Sequence, residues 1–372
     1  MASGLAIVCV VVCGVVVGCA PVATVPRATR PEAAAPPARK VDPCEPSGAP
    51  GVYAASVADP VAHRQVSAIL RNLAQGDEKV ELETALDAFY ATHGDDYDFL
   101  YLFVPDENFS IRGRYLPVAE RVVMTLGVIR RGLTSVASRH PRLRAVIVLA
   151  LDPRGIGGPT LHETMHHWGQ YLGLIAPSLG LSAFPHWGEV GVRGQLGGFD
   201  PTRLRCLAPA GAGPPDCERA PDGRFQVIVP PFGKVANGGD GVPYAPLELY
   251  LMGLVPAAEV PVLPILVEPR LDPRSGGAAY HLYDVAGVRM LTVAEIVTAM
   301  KGERPEATAN DRALRGGFVL VTPAVAVPAD LERIATWARR FGAVEPAPWF
   351  SFCAATGGRA MMRTDLTPAA AR

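Results

Sequence analysis

Lysine is nearly absent from this chain: Lys40, Lys79, Lys234 and Lys301 are the four among 35 Lys plus Arg in 372 residues. With 36 Asp plus Glu the formal net charge is −1. No basic stripe is present that would hold a phosphate backbone, which argues against a nucleic-acid partner. Charged residues make only 19% of the chain and hydrophobic ones 49%, so wholesale disorder is excluded and there is material for one large core or two ordinary ones. Internal repeats are lacking. The 38 Gly and 36 Pro amount to about a fifth of the residues, against a usual share of roughly 12%, but follow no collagen-like period. They imply a loop-rich protein with short regular elements.

The apolar run at the start, Leu5 to Ala20, falls short of the roughly 20 residues of a comfortable bilayer span and has the length of a secretory h-region. It ends in Val16-Val17-Gly18-Cys19, which resembles the bacterial lipobox. That resemblance implies removal of residues 1–18 as a signal peptide, acylation of Cys19, and a membrane association through the lipid, at the outer membrane in a Gram-negative source. Residues 19–51 are Pro/Ala-rich with almost nothing to bury, and read as a tether to a domain spanning 52–372. Of seven cysteines, Cys9 and Cys13 leave with the signal and Cys19 takes the lipid. Four remain in an oxidising compartment. Cys206 and Cys217 bracket the turn-forming LAPAGAGPPD, and a bridge there would contribute roughly 3 kcal/mol. Cys44 with Cys353 follows by elimination.

Along the domain, DPVAHRQVSAILRNLAQ from Asp59 places Val61, Val66, Ile69, Leu70 and Leu73 on one helical face, and VELETALDAFYATHG repeats the habit before a Gly stop. Asp98 to Val104 and Arg144 to Leu151 read as buried strands. Between them IRGRYLPVAERVVMTLGVI is read as strands. A Gly-rich turn, DPRGIGGPT, leads into a helix from about Pro159 to Leu174 that closes an N-terminal lobe. Residues 175 to 247 read mostly as loop. Helical signals return at Leu247 to Leu254 and at TVAEIVTAM, where Thr292 and Glu295 have capping-box spacing. Gly317 to Val325 reads as a strand and Asp330 to Phe341 as an amphipathic helix. The class expected is α+β, a mixed sheet with a loop-rich C-terminal half.

The helix after the Gly-rich turn carries His162-Glu163-Thr164-Met165-His166-His167-Trp168-Gly169. Residues four apart lie one above the other on a helix face, so His162 and His166 can present two imidazole nitrogens to one ion about 2 Å from each. Glu163 is rotated by about 100° and can reach an attacking water without ligating the metal. With 8 His and 18 Glu in the chain, chance would produce this HExxH pattern about 1% of the time, which makes it a signal to follow. A capping box, Thr160 with Glu163, is the structural alternative; Pro159 argues against it, since Pro favours the first helical position and would put Glu163 a full turn inside. His167 points off the ligand face and reads as a packing residue. His63, His93, His140 and His281 lack ligand spacing.

The pattern resembles the active-site helix of the zincin metallopeptidases, and the resemblance implies a zincin-like fold with the sheet packed on this helix, a bound Zn2+, and Glu163 as general base. A catalytic zinc takes three protein ligands and one open position. Metzincins place the third as a His six residues after the second motif His, following a Gly; Gly169 fits that pattern but Leu172 occupies the ligand position. Downstream, FPHWGEVG offers His186 and Glu189, and GGFD offers Asp200. HETMHHWG followed by HWG, QLGGFD, YAPLELYLMGLVP and WFSFCAATGGRAMMRTDL resembles a group of largely uncharacterised bacterial HExxH proteins, and this favours His186 as the third ligand. Met252 before Gly253 resembles the metzincin Met turn, though an apolar octapeptide also uses Met as core filler. Tyr250, or Tyr244, is a candidate hydrogen-bond donor to the oxyanion, as Tyr is in many zincins.

The function expected is zinc-dependent hydrolysis of peptide bonds in a peptide or protein substrate at the cell envelope. The alternative is a catalytically degenerate lipoprotein of the same fold that acts as a surface binding protein. Cys19→Ser is expected to abolish lipid labelling and membrane recovery of the full chain. A variant that is still processed and membrane-bound would show that Cys19 is not the anchor.

Overall fold

A computed structural model describes residues 44, 52–56, 86–104, 113–117, 139–151, 159–169, 172, 179–181, 186–214, 216–229, 242–275, 280–304, 306–322, 325–344 and 351–366. Apart from Cys44, the expected signal peptide, Cys19 and the tether lie outside the described residues, as does the helix expected from Asp59. The strands run β1 (Val52–Ser56), β2 (Phe99–Val104), β3 (Gly113–Pro117), β4 (Ala145–Ala150), β5 (Arg205–Cys206), β6 (Phe225–Val229), β7 (Leu263–Val267), β8 (Arg270–Leu271), β9 (His281–Val285), β10 (Gly287–Leu291), β11 (Ala313–Thr322) and β12 (Met361–Arg363). The labelled helices are α1 (Thr160–Gly169), α2 (Pro246–Leu251), α3 (Val293–Ala299), α4 (Ala309–Arg312), α5 (Pro328–Phe341) and α6 (Phe352–Ala355). The class is α+β.

The main sheet is mixed, in the order β1-β11-β2-β4-β3 with β12 also on β11. β1, β12 and β2 are parallel to β11, and β4 is parallel to β2; β3 joins the edge antiparallel to β4. Parallel strands inside such a sheet are buried on both faces, which is why FLYLFV and AVIVLA are nearly continuous apolar runs. Their period of two divides the faces. Phe99, Tyr101, Ile147, Leu149, Phe318 and Leu320 form one core with Leu161 and Met165 of α1 and Trp337 and Phe341 of α5. On the other face Leu100 lies near Phe89 and Tyr97, from the helical segment 86–90 and the turn after it.

The second half holds more strand than its Gly and Pro content suggests. β5, β6, β9 and β8 make an antiparallel sheet around Phe225, Val227, Val285 and the buried Cys206–Cys217 pair, while β7 and β10 pair separately. The strands β7 to β10 had no counterpart in the sequence reading. Pro264 interrupts the donors of β7, β9 mixes buried positions with half-exposed ones such as Asp284, and β10 is half-exposed or exposed up to the buried Leu291, so neither β9 nor β10 reads as a continuous apolar run. Boundaries shift elsewhere. The expected Pro159–Leu174 helix is Thr160–Gly169 in its described stretch; of the expected strands between Ile111 and Ile129, β3 is described and the rest lies outside the described residues. The expected Gly317–Val325 strand is Ala313–Thr322, and Thr292 with Glu295 forms the capping box that starts α3.

Both bridges, Cys206–Cys217 and Cys44–Cys353, are present. The second closes a sequence separation of 309 residues and ties Cys44 to α6, within the compact unit Val41–Arg372. Two disulfides accord with an oxidising, extracellular compartment. Among the described residues no helix is long and apolar enough to cross a membrane. Peptide mapping without reductant should recover both pairs, and Cys206→Ala with Cys217→Ala should lower the unfolding free energy by up to about 3 kcal/mol in a denaturant titration. Free thiols at all four positions would refute the pairing.

Candidate metal centre

Helix α1 follows the parallel strand β4 in the chain and packs into the core, and its polar side chains are held by partners from several elements. The Pro159 carbonyl accepts the first helical hydrogen bond from the Glu163 amide, 2.7 Å, so Thr160 opens the helix and Glu163 stands inside it. The Thr160 hydroxyl is not capping; it accepts from the Trp337 indole, 2.9 Å. Thr164 donates its single proton to the Thr160 carbonyl, 2.7 Å, so at the 2.9 Å contact with Tyr101 the phenol is the donor. Burial raises the pKa of Tyr101, which keeps that proton in place. The helix is thereby pinned to β2 and α5. Gly169 permits the close approach of the Leu196 side chain, which a Cβ there would meet at 2.6 Å.

His162, His166 and His186 converge. The Nε2 atoms of His166 and His186 each lie 3.1 Å from His162 Nε2. The three donor atoms fall within 4.8 Å of one another and form the one candidate metal group of His, Cys, Asp or Glu found among the described residues. Donors around a tetrahedral ion at about 2.0–2.1 Å lie roughly 3.3–3.4 Å apart, so the spacing is that of ligands drawn slightly together. His162 Nδ1 sits 2.5 Å from the Gln195 carbonyl, which can only accept; Nδ1 carries the proton and the Nε2 lone pair faces the cluster. Burial lowers the pKa of the half-buried His186, favouring its neutral, ligating form. This donor set fits a zinc ion and no described carboxylate completes it.

Glu163 is buried beside the cluster, its Oε2 4.0 Å from His166 Nε2, and is not a member of the ligand group. The two other candidates for third ligand are turned elsewhere. Glu189 meets the Tyr283 hydroxyl at 3.5 Å, and Asp200 accepts from Thr202 and pairs with Arg193 at 3.2 Å. His167 packs edge-on against Phe99 and Trp168. His93 stacks on Phe89, His140 on Tyr90, and His281 meets Tyr283 edge-on; His63 lies outside the described residues.

The tyrosines expected at the oxyanion have hydrogen-bond partners in the backbone. Tyr250 accepts from the Arg304 amide, 2.9 Å, and the charges acting on it are those of Glu303 and Arg304. Tyr244 donates to the Leu161 carbonyl of α1, 2.9 Å. Both are core residues whose hydroxyls need a buried partner and find one in the backbone. Met252 closes α2 ahead of Gly253, whose φ is 75°, and packs in the main core.

A residue that sequence reasoning passed over lies behind the cluster. Glu248 is fully buried, and its carboxylate accepts four N–H groups: Trp187 Nε1 and Leu196 N on Oε1 at 2.9 and 2.8 Å, Gln195 N and Ala245 N on Oε2 at 2.9 Å each. Burial pushes its carboxyl above the usual carboxylate range and the four donors pull it back. A Cβ on Gly194 would collide with this carboxylate, so a side chain is excluded there. The signal was present as the lone charge in Leu247-Glu248-Leu249-Tyr250-Leu251, a position that burial would demand be fully hydrogen-bonded.

Compared with family profiles, curated proteins and solved structures, the chain matches none. His186→Ala is expected to drop bound divalent metal from about one ion per chain to near zero in metal analysis of the dialysed protein, while Glu189→Ala retains it. Loss of metal in Glu189→Ala with retention in His186→Ala would reverse the ligand assignment.

Proposed function

We propose that the chain is a zinc-dependent hydrolase of zincin-like fold that cleaves peptide bonds at the cell envelope. The observation that carries this reading is the convergence of the His162, His166 and His186 Nε2 atoms with the Glu163 carboxylate beside them and outside the ligand set. A purely structural zinc site is closed by four protein ligands, whereas three His with an adjacent buried carboxylate suits a site that keeps one position open.

A zinc ion held there supplies positive charge that polarises a carbonyl and acidifies water. Glu163 then accepts the proton of the attacking water and returns it to the leaving amine, the task of a general base and acid in turn. His162 stays in its Nδ1–H form through Gln195, so its Nε2 remains a ligand throughout. Peptide as the substrate class is supported by β3. It is the antiparallel edge of the main sheet among the described residues and packs near α1, and an extended peptide can add to such an edge by main-chain hydrogen bonds. The two disulfides support an exported site of action, and the Val16-Val17-Gly18-Cys19 motif supports anchoring through lipid at Cys19.

Glu163→Gln is expected to keep zinc near one per chain while hydrolysis of an unfolded protein substrate falls by about 100-fold or more. His166→Ala is expected to lose zinc and hydrolysis together. Unchanged hydrolysis in Glu163→Gln would defeat the reading. A wild-type chain that holds zinc yet cleaves nothing would support the degenerate, binding lipoprotein instead.

A further inference from the structure

We propose that Glu248 is a positioning residue that acts on the metal ligands through the Gln195–Leu196 peptide group, as a carboxylate–peptide–histidine relay. The Leu196 N–H and the Gln195 C=O belong to one peptide plane. Its N–H donates to Glu248 Oε1 at 2.8 Å, and its C=O accepts from His162 Nδ1 at 2.5 Å. Hydrogen bonds in such a chain polarise one another: an anion at the N–H makes the carbonyl a stronger acceptor, which makes the far imidazole nitrogen a better donor to a cation. Metal-bound histidines commonly give their other N–H directly to a carboxylate. Here one peptide group is interposed.

The same oxygen reaches the other non-helical ligand segment. Trp187 Nε1 also donates to Glu248 Oε1, 2.9 Å, and Trp187 follows His186 directly in sequence. The Trp187 amide donates to the Leu196 carbonyl, 2.9 Å, closing the 186–196 loop on itself. Oε2 takes the Gln195 amide and the Ala245 amide, so the carboxylate locks the loop to the first turn of α2. All four partners are neutral N–H groups. A carboxamide in this place would turn one NH2 against two N–H donors, so Glu248→Gln removes the relay or its anchorage without changing the side chain's size.

This inference rests on the metal-site reading, and its test separates the two. Zinc affinity of the full chain is measured by competition with a chromogenic chelator for wild type, Glu248→Gln, and Thr292→Ala as a control that weakens the α3 cap, where Thr292 bonds Glu295. The expected result is a 10- to 100-fold weaker zinc affinity in Glu248→Gln, with Thr292→Ala equal to wild type. In the metal-free proteins, 15N shifts of the His162 ring should report the Nδ1–H form in wild type and mixed tautomers in Glu248→Gln. A second measurement needs no variant to fold. Zinc titrated into wild type should shift the Leu196 amide proton downfield, because the relay couples it to His162, and leave the Ala245 amide, on the other oxygen, nearly unmoved. Wild type that binds no zinc would overturn the metal site itself. Zinc binding with an unmoved Leu196 amide, or a Glu248→Gln variant of wild-type affinity and tautomer, would overturn the relay while leaving the site standing.

Discussion

Burial of a polar helix is the constraint on which the other arrangements depend. Among the ten residues of α1 are two Thr, three His and a Glu, and all but Trp168 are buried. A buried polar group left without a partner costs roughly 1–3 kcal/mol, so such a helix is stable only where neighbours satisfy it. They do so from several elements. Tyr101 of β2 serves Thr164, Trp337 of α5 serves Thr160, Tyr244 serves the Leu161 carbonyl, and the Gln195 carbonyl serves His162. Tyr101 gives the sheet a polar hold on α1 beside the apolar floor of Phe99 and Ile147. Together these partners fix the rotation of the helix about its axis, and with it the direction in which His162 and His166 point.

The third histidine has no helix to aim it. His186 opens a described segment of bends and isolated bridges, and the residues that follow it are anchored by bonds: Trp187 to Leu196 and Glu248, Val190 against Ile265 of β7, Gly191 to the Pro264 carbonyl. A loop with few regular ladders is ordinarily the pliable part of a fold. Here the buried Glu248 substitutes for a ladder by gathering four N–H groups that would otherwise be orphaned in the core.

How far these features were legible in the sequence follows from their range. The α1 ligand pair is a matter of i and i+4 spacing and could be read locally. The strands β2 and β4 could be read because burial on both faces leaves an apolar run, and the Cys206–Cys217 pair because eleven residues of separation confine it. His186 needed a resemblance, since it lies 20 positions after His166 in sequence, beyond the reach of helical spacing. The surroundings of Tyr250 were hidden for a different cause: a phenol can serve substrate or backbone equally well by residue type, and only the tertiary structure shows that it accepts from the Arg304 amide. Glu248 was hidden for the same reason in reverse: nothing local tells a buried anion's distant partners, and three of its four come from residues 50 and more positions away.

The charges of the centre also make sense only as a set. Behind the histidines stand acceptors: the Gln195 carbonyl against His162 Nδ1, and the Glu248 carboxylate against the peptide that bears that carbonyl. Beside them stands the Glu163 carboxylate, 4.0 Å from His166 Nε2. The three Nε2 atoms are drawn together in front, and the Nε2 of His162 presents a lone pair with no proton of its own. Two buried carboxylates and converging lone pairs produce a negative potential that a core tolerates poorly unless positive charge is placed within it. Glu248 meets only neutral N–H groups, so that charge does not come from a side chain at its carboxylate. A divalent ion among the three imidazoles would offset the two carboxylates in full, and it would do so at the place where the polarity of every bond behind the histidines already points.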